Sequence, residues 1–417
     1  MSFYLGLDFG TSGARSTVID AAGNIHNESH YSFYNSGNLI DLWQDALFNL
    51  ITQIPLQLRQ EIRAIAIDGT SSTVLLCDRT GRPITAPILY NDDRGLEIIE
   101  TLKSIAPPNH TVLSATSSLA KLLWLLKNYN SNLEKYYFLH QADWLAFLLH
   151  GKLGISEYHN ALKLGYDPEK LSYPDWIYTI KNLPQLPQIV TPGNPIGEVT
   201  RDIFNKLNLP KDCLICAGTT DSIAAFLASG VQSPGEAVTS LGSTLVLKLL
   251  SNTRIDNAKY GIYSHRLGNL WLTGGASNTG GAVLRHFFTD VELENFSSKI
   301  NPEIASKLDY YPLLKPGDRF PINDPNLPPK LTPRPTDAVE FLHGLLESIA
   351  RIEKQGYQLL QNLGANTLTR VYTAGGGAKN PVWNLIRERL LKVPVIKSIQ
   401  TEAAYGTALL AMRGIKK

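Results

Sequence analysis

Three turns in the sequence combine glycine with hydroxyl or amide side chains, and each follows a run of strand-like residues. They are Asp8–Gly13, Gly242–Thr244 and Gly375–Asn380. Glycine lets backbone N–H groups approach phosphate oxygens closely, and hydroxyls such as those of Thr11 and Ser243 add donors. A single turn of this kind is most often a tight connection. Three of them in one chain favour a site for a polyphosphate and its base.

Two aspartates stand where a carboxylate could take part in phosphate chemistry. Asp8 ends the first strand-like run and is placed to hold Mg²⁺ directly or through water, although it could equally cap the turn. Asp221 follows the strand-like run Cys213–Ala217 and precedes a helical segment. There it can cap the helix, accept the proton of a hydroxyl that attacks a γ-phosphate, or do both.

The spacing of these turns excludes the common nucleotide motifs. The Gly-x-x-x-x-Gly-Lys-Ser/Thr loop does not occur, and Gly375–Gly377 lacks the Gly-x-Gly-x-x-Gly spacing. Asp8-Phe9-Gly10 matches the magnesium motif of protein kinases, but no glycine-rich lobe precedes it and no His-Arg-Asp loop occurs. We therefore reject the protein-kinase interpretation.

Composition favours a globular chain with small-molecule partners. The chain has 417 residues, and single cores rarely grow beyond ~250–300 residues, so two domains are expected. Hydrophobic residues make up 43% and charged residues 18%, which is ordinary for globular proteins. The 39 basic and 37 acidic residues give a net charge of +2, too small to argue for nucleic acid or a membrane surface.

The three cysteines and the N-terminal pattern favour a cytoplasmic location. Three cysteines in a chain of this length form no disulfide framework. Cys213-Leu-Ile-Cys216 has metal-type or redox-type spacing but no second pair, and it is typical of a buried strand. No secretory signal pattern opens the chain. No window reaches the ~20 apolar residues of a membrane span.

The elements around the first turn predict an α/β layer. Phe3–Asp8, Ala14–Asp20 and Ile25–Phe33 have strand lengths and turn residues that predict a three-stranded meander. Residues 40–60 have helical spacing, and Ile62–Ile67 is a buried-type strand that ends at Asp68. Meander, helix and strand in this order indicate an α/β fold.

A similar design occurs about half a chain later. Glu236–Leu241 and Leu245–Leu250 predict two strands on either side of the Gly-Ser-Thr turn. Ala338–Leu363 predicts a long amphipathic helix, Arg370–Ala374 a strand, and Pro381 the first turn of another helix. One such strand-turn-strand unit in each half suggests two related domains.

Taken in order, these segments resemble the motifs of the FGGY carbohydrate kinases. DFGTSGAR is similar to the first phosphate loop of that family, GTTDSIAA to its catalytic-aspartate segment, LGSTLVL to its second phosphate loop and TAGGGAKNPVWNLIRERL to its adenosine segment. IAIDGTSSTVLLCDRTGRPITAPILYNDDR resembles its sugar-site strand and Trp-Asn-Asp-x-Arg run, and FLHGLLESIARIEKQGYQLL its long second-domain helix. Each motif is moderately specific, whereas all of them in order are a strong signal.

The resemblance implies an α/β fold of two ribonuclease-H-like lobes, of the actin and hexokinase type, around an ATP and sugar cleft. It implies an N-terminal sugar-binding and phosphate-loop lobe of residues 1–225 and a C-terminal ATP-binding lobe of residues 226–401. A C-terminal helix of residues 402–417 is expected to pack back on the first lobe. ATP and Mg²⁺ are the implied cofactors, a small sugar is the implied partner, and the chain would be a monomer or homodimer.

The resemblance also implies roles for individual residues. Asp221 would be the general base, and Asp8 would hold Mg²⁺ next to the substrates. The phosphates would be contacted by Thr11, Ser12, Gly13, Gly242, Ser243 and Thr244. Adenosine would be contacted by Gly376, Gly377, Asn380 and Trp383. The sugar would be contacted by Ser72 and Asp92, together with Asp8 and Asp221.

Departures from the family pattern concern the sugar. Many xylulokinases carry Gln-Met-His-Gly where this chain has Asp68-Gly-Thr-Ser-Ser72, and Tyr90 replaces the tryptophan before Asn-Asp. Asp93-Arg94 stands where a glycerol kinase would have an arginine pair, which disfavours glycerol. The short chain resembles a compact bacterial and plastid-type branch linked with ketopentoses. D-Ribulose is the expected substrate, with D-xylulose as the alternative.

Two further classes compete with a sugar kinase. One is a non-catalytic or regulatory ATP-binding protein of the same fold, and the other is a phosphatase of the same superfamily. Asp8, Thr11 and Asp221 are all present, and no peptide-binding extension occurs, which argues against the first. Release of ADP with and without sugars would separate all three.

Overall fold

The computed structural model describes residues 2–33, 37–129 and 132–415. The chain divides into two compact units, Met1–Ala228 with Glu402–Lys417, and Ser229–Thr401. Residues 416–417, the end of the predicted C-terminal helix, lie outside the described residues. The lobe limits given from sequence stay a prediction.

The first unit is built around a seven-stranded sheet. The strands of the first unit include those of this sheet and those of two separate two-stranded sheets. They are β1 Phe3–Phe9, β2 Gly13–Asp20, β3 Ile25–Ser32, β4 Ile62–Gly69, β5 Val74–Cys77, β6 Tyr137–His140, β7 Ile155–Glu157, β8 Gln188–Val190, β9 Pro195–Glu198, β10 Leu214–Cys216 and β11 Thr219–Thr220. The order in the sheet is β3-β2-β1-β4-β10-β9, and β11 pairs with β4. β1, β2 and β3 are antiparallel neighbours, so the predicted meander is confirmed.

The helices of the first unit pack on the two faces of this sheet or belong to the cluster around β5 and β6. They are α1 Leu39–Gln53, α2 Leu56–Arg59, α3 Ile99–Ile105, α4 Ser118–Asn128, α5 Gln141–His150, α6 Tyr158–Ala161, α7 Arg201–Leu207, α8 Asp221–Ala228 and, from the end of the chain, α13 Ala403–Ile415. Successive strand residues point to opposite faces. In β1, Leu5 and Leu7 therefore enter the core that contains α1, while Tyr4 packs with α13.

The remaining elements of the first unit form a third cluster. β5 pairs antiparallel with β6, and β7 pairs parallel with β8. Apolar residues of β5, α3 and α4 pack together there, among them Val74, Leu102 and Leu122.

The second unit repeats the plan of the first. Its strands are β12 Glu236–Leu241, β13 Leu245–Ser251, β14 His265–Leu267, β15 Leu270–Ser277, β16 Arg370–Ala374 and β17 Val395–Lys397, and its helices are α9 Gly281–Phe287, α10 Asp290–Ser297, α11 Ala338–Asn362 and α12 Pro381–Leu391. The sheet order is β14-β15-β13-β12-β16-β17. As in the first unit, an antiparallel meander is followed by parallel strands, here β16 and β17.

Both halves of the chain therefore have the α/β layer order predicted from the sequence. The long amphipathic helix predicted from residue 338 is α11, which buries one face against the core of the second unit. Among the helices in the described ranges, none is both long enough and apolar enough to cross a bilayer.

Candidate active site

Three carboxylates meet at one edge of the sheet in the first unit. β4 runs parallel to both β1 and β11, so these strands end at the same edge. The register places Asp8 opposite Asp68 and Asp68 opposite Thr219. Asp221 directly follows β11 as the first residue of α8. The geometry thus brings together the two aspartates singled out from sequence and adds a third, Asp68.

The central carboxylate of this group is completely buried. Asp68 is 0% exposed; burial, together with the negative charge of Asp8, raises its pKa well above the usual range. Thr407 of α13 donates a hydrogen bond from Oγ1 to Asp68 Oδ2. The side chains of Asp68 and Asp8 are also hydrogen-bonded to each other, which adds to the rise in the pKa of Asp68 and opposes the rise in the pKa of Asp8. Burial also raises the pKa of Asp8, and the charge of Asp221 adds to this.

This arrangement suits a cation that keeps part of its water shell. No three His, Cys, Asp or Glu side chains in the described parts of the chain are grouped so as to enclose a metal ion. Mg²⁺ commonly binds one or two carboxylates and keeps several waters. Asp8 is partly exposed to a pocket, and the buried Asp68 lies beside it in the register of the sheet. These residues fit Mg²⁺ held by Asp8 and water.

The pocket beside Asp8 lies at the first glycine turn. It measures about 270 Å³, and its lining comes from the β1–β2 turn and from β3, including Ser12, Gly13 and Arg15. The turn is closed by the hydrogen bond from Gly10 N–H to the Gly13 carbonyl (3.0 Å). Thr11 is exposed on the same turn. The first predicted phosphate loop is thus an open hairpin with Asp8 at its base.

Buried polar side chains hold the segment that carries Asp221. His159 Nδ1 and Thr219 Oγ1 lie 2.7 Å apart, and both residues are buried. Glu157 accepts hydrogen bonds from the backbone N–H groups of His159 and Asn160, and burial raises the pKa of Glu157 to about 8. Asp221 Oδ1 accepts a hydrogen bond from Ser222 N–H (2.6 Å). These contacts fix the segment just before Asp221 to α6.

The two residues assigned to the sugar differ in environment. Ser72 lies three residues beyond β4; it is 1% exposed, and its Oγ has no hydrogen-bond partner among the described residues. Asp92 is half-buried and accepts two hydrogen bonds from Arg94, at 2.8 and 2.6 Å, which lower the pKa of Asp92. The Arg94 guanidinium stacks on Trp124, 4.5 Å from the ring centroid. Asp92 is therefore held ionised in a fixed orientation.

In the second unit, the two remaining glycine turns lie next to each other. A Cβ on Gly375 would lie 2.7 Å from the Leu241 carbonyl oxygen and 3.1 Å from Gly242 N, and φ at Gly375 is +81°. Only glycine suits such a position. The β12–β13 turn is held by hydrogen bonds from the first residues of α9, Gly281 N–H to the Gly242 carbonyl (2.8 Å) and Ala282 N–H to the Ser243 carbonyl (3.1 Å). Thr244 completes this turn.

The role predicted for Trp383 needs correction, whereas the position of Asn380 is compatible with a turn that borders a ligand. Trp383 is 1% exposed, lies in the core of the second unit and donates from Nε1 to the Leu346 carbonyl (3.1 Å). Its ring packs beneath Gly377, so it has no free face for a purine. Asn380 caps α12 by accepting from Trp383 N–H (3.0 Å), and Gly376 faces open space.

Comparison with known families decides the assignment. The model for the N-terminal domain of the FGGY family of carbohydrate kinases matches residues 3–228, and the model for the C-terminal domain of that family matches residues 237–415. The chain belongs to the FGGY family of carbohydrate kinases. Membership of this family implies a sugar kinase that uses ATP.

Individual FGGY relatives are distant but match along their length. A xylulose kinase of Staphylococcus xylosus is 23% identical, over 99% of this chain and 91% of its own. Glycerol kinase 2 of Thermotoga maritima is 22% identical, over 99% and 90%. The solved structure of xylulose kinase from Bifidobacterium adolescentis has a TM-score of 0.82 at 19% identity, covering 100% of this chain and 93% of that one. The two-domain α/β fold is thus that of FGGY kinases.

Sequence reasoning did not single out Asp68 of this site, nor the buried Lys121 of α4. Asp68 ends a buried strand just before a glycine, as Asp8 nearly does, so the same rule could have found it. Lys121 interrupts the apolar run Leu119–Leu126, and a single charge inside such a run is a sign of a buried cation. For His159, by contrast, no local pattern points to Thr219, because their contact depends on the fold.

Proposed function

We propose that this protein transfers the γ-phosphoryl group of ATP to a hydroxyl of a ketopentose. The observation that carries the proposal is the meeting of Asp8, Asp68 and Asp221 at one sheet edge, beside an open glycine hairpin. A partly exposed carboxylate next to buried ones suits proton transfer and cation binding. Membership of the FGGY family makes phosphoryl transfer to a sugar the natural use of such a group.

In the proposed reaction, Asp221 accepts the proton of the sugar hydroxyl as its oxygen attacks the γ-phosphorus of ATP. A new P–O bond forms to the sugar, the bond to the β-phosphate oxygen breaks, and ADP leaves. Backbone N–H groups of the two glycine turns, Gly10–Gly13 and Gly242–Thr244, would donate to the phosphate oxygens. Asp8 would hold Mg²⁺, which when bound would neutralise charge on the phosphates.

Adenosine and the sugar would be bound by different segments. Gly376, Gly377 and Asn380 remain the proposed border of adenosine, without stacking by Trp383. Ser72 and Asp92 would bind sugar hydroxyls, since the first has a buried Oγ free of protein partners and the second is an oriented carboxylate. A buried hydroxyl without a partner is costly unless a ligand satisfies it.

D-Xylulose is the first candidate substrate, because the relatives include several enzymes named xylulose kinase. D-Ribulose remains the second candidate for a specific reason. The turn after β4 reads Asp68-Gly-Thr-Ser-Ser72, where many xylulokinases carry Gln-Met-His-Gly. A serine hydroxyl and an imidazole make different hydrogen bonds, so this turn could select a different arrangement of sugar hydroxyls.

The test is a coupled assay of ADP release with ATP, Mg²⁺ and a panel of D-xylulose, D-ribulose, L-ribulose, L-xylulose, glycerol and gluconate. We expect ADP release that depends on a ketopentose, with the highest kcat/KM for D-xylulose or D-ribulose. ADP release at the same rate without sugar would instead indicate a phosphatase. Absence of ADP release with every member of the panel would contradict the proposal.

A further inference from the structure

A lysine that no motif points to lies beneath the proposed sugar site. Lys121 belongs to α4, is 0% exposed and is surrounded by apolar residues of that helix such as Leu122 and Leu125. Burying an ammonium group is costly unless its protons are hydrogen-bonded. A leucine or methionine would fill this position at lower cost. The presence of lysine here therefore calls for a role beyond packing.

The ammonium group joins two separate segments of the chain. Lys121 Nζ donates to the Ser72 carbonyl (2.7 Å) and to the Leu89 carbonyl (2.6 Å). The first carbonyl belongs to the turn after β4, and the second precedes Tyr90 and Asp92. Both distances are short, and burial lowers the pKa of Lys121 to about 7. The two segments that carry Ser72 and Asp92 are thus fastened to one buried group.

The backbone at Ser72 needs such support. Its φ is +64°, a left-handed conformation that non-glycine residues seldom adopt and that costs about 1 kcal/mol or more. In this conformation Ser72 Oγ is buried yet has no hydrogen-bond partner among the described residues. The bond from Lys121 to the carbonyl of the same residue holds this conformation in place.

A second set of polar contacts closes the turn from the other side. Thr73 Oγ1 accepts a hydrogen bond from Tyr90 N–H (3.0 Å) and lies 2.5 Å from Thr70 Oγ1. Gln141 Oε1 accepts from Thr70 N–H (3.0 Å). The bond from Tyr90 N–H ties the turn to the segment of Leu89, as Lys121 does, and Gln141 ties the turn to α5. None of them involves Ser72 Oγ, which is left for a ligand.

We propose that Lys121 is a positioning residue for the sugar: it fixes the Ser72 and Leu89 carbonyls, and so presents Ser72 Oγ and Asp92 to the substrate hydroxyls. This inference rests on the proposed function, because it takes the bound molecule to be the sugar that the enzyme phosphorylates. Lys121 does not touch the substrate. Its removal would displace the two groups that do, and displacements of about 1 Å can cost up to ~100-fold in rate.

The decisive variant is Lys121→Met, which keeps the length and apolar stem of the side chain but removes its donors. With the sugar that the wild type phosphorylates, we expect KM for the sugar to rise about tenfold or more, with KM for ATP within a factor of about two. Lys121→Arg, which retains a charged donor, should restore part of the sugar affinity. The matched control is Lys152→Met, since Lys152 also donates to a backbone carbonyl, that of Ile196 (2.6 Å), but is exposed.

A double-mutant cycle separates positioning from general stability. Glycine adopts a positive φ without penalty, so Ser72→Gly should remove both the hydroxyl and the need for support. In that background Lys121→Met should raise the sugar KM much less than it does in the wild type, because the two residues act as a unit. Full additivity, or equal rises in both KM values, would overturn the inference.

The outcomes for the two proposals are distinct. A wild type that phosphorylates no sugar overturns the proposed function and this inference with it. A wild type that phosphorylates a ketopentose, together with a folded Lys121→Met variant of unchanged sugar KM, overturns the inference alone. If Lys121→Met fails to fold, Lys121→Leu and its pair with Ser72→Gly provide the same comparison. An unchanged sugar KM in a folded Lys121→Leu variant overturns the inference.

Discussion

Asp8 and Asp221 differ from Asp68 in exposure. Asp68 is completely buried, whereas Asp8 is partly exposed at the first glycine turn and Asp221 is partly exposed at the start of α8. A group that exchanges protons with a substrate must be reachable, and it must stay ionised before the reaction. Asp8 and Asp221 both meet the first requirement, and because Asp8 is assigned to Mg²⁺, Asp221 is the residue proposed as the base.

Replacement of the Asp221 carboxylate by an amide tests the proposed base. Asp221→Asn keeps the shape and the bond from Ser222 N–H but cannot accept the hydroxyl proton. We expect kcat to fall about 10²–10⁴-fold, the usual contribution of a general base, with KM for ATP and Tm close to wild type. The coupled ADP assay measures the loss. Asp212→Asn is the control, because Asp212 is an exposed carboxylate paired with Arg63 (2.7 Å). Wild-type turnover by Asp221→Asn would refute the assignment.

Candidate site residues in and near the motifs could be predicted from the sequence, but the directions in which side chains point could not. Asp8 and Asp221 were found because each directly follows a recognisable strand or precedes a helix. Trp383 lies one residue after Val382 at the start of α12, and the sequence does not say which face of that helix meets α11. The buried indole and its bond to the Leu346 carbonyl are consequences of tertiary packing. The same holds for the carbonyl partners of Lys121.

At the scale of elements, α13 depends on glycines where it meets its neighbours. A Cβ on Gly6 of β1 would lie 2.0 Å from the Ala404 carbonyl oxygen, and one on Gly406 would lie 1.9 Å from the Ala224 carbonyl oxygen of α8. Such distances leave no room for a methyl group. Ala408 and Ala411, both fully buried, keep the rest of the helix face small. This close packing places Thr407 against Asp68.

Gly406→Ala tests the close packing of α13 and α8. Alanine is the better helix former by about 1 kcal/mol, so propensity alone predicts stabilisation. The contact with the Ala224 carbonyl oxygen predicts the opposite, because overpacking typically costs about 1–3 kcal/mol and α8 would have to move. We expect Tm to fall by about 2–4 °C for each kcal/mol lost, measured by thermal unfolding. Gly37→Ala is the control, since its Cβ would have no neighbour closer than 3.9 Å. A Tm at or above wild type would contradict the close packing.

Helices and strands were predicted accurately where the spacing of apolar residues changes from one period to another. The residues at which an element begins or ends were predicted less consistently. β16 begins and ends at the predicted residues, and α11 ends one residue earlier than predicted. The helix predicted for residues 40–60 is two helices, because Pro55 follows the end of α1 and begins a separate short turn of helix, α2. The parallel pairing of β1 with β4, which brings Asp8 beside Asp68, joins segments far apart in sequence, so local patterns could not give its register.

At the scale of the whole molecule, the residues proposed to bind the sugar and those proposed to bind adenosine belong to different compact units. Ser72, Asp92 and Asp221 all belong to the unit of Met1–Ala228 with Glu402–Lys417, whereas the Gly242–Thr244 and Gly375–Asn380 turns belong to Ser229–Thr401. Each unit has its own sheet and its own core. The residues proposed to contact the sugar and those proposed to contact adenosine therefore each come from one unit. Binding of either ligand alone should be measurable by its effect on the unit that contacts it.

Hydrogen exchange with one ligand at a time tests this division. A ligand that binds the native state suppresses local opening at its site by mass action, up to ~100-fold when its concentration is about 100 times Kd. We expect the sugar that the enzyme phosphorylates, added without nucleotide, to slow amide exchange at residues 70–73 and 89–92. ADP without sugar should slow exchange at residues 242–244 and 375–380. A sugar that the enzyme does not phosphorylate is the control and should protect neither pair of segments. Sugar-induced protection confined to residues 242–244 and 375–380 would contradict the placement of the sugar site in the first unit. In that case the amides around Ser72 and Asp92 would exchange as fast with the sugar as in the protein alone.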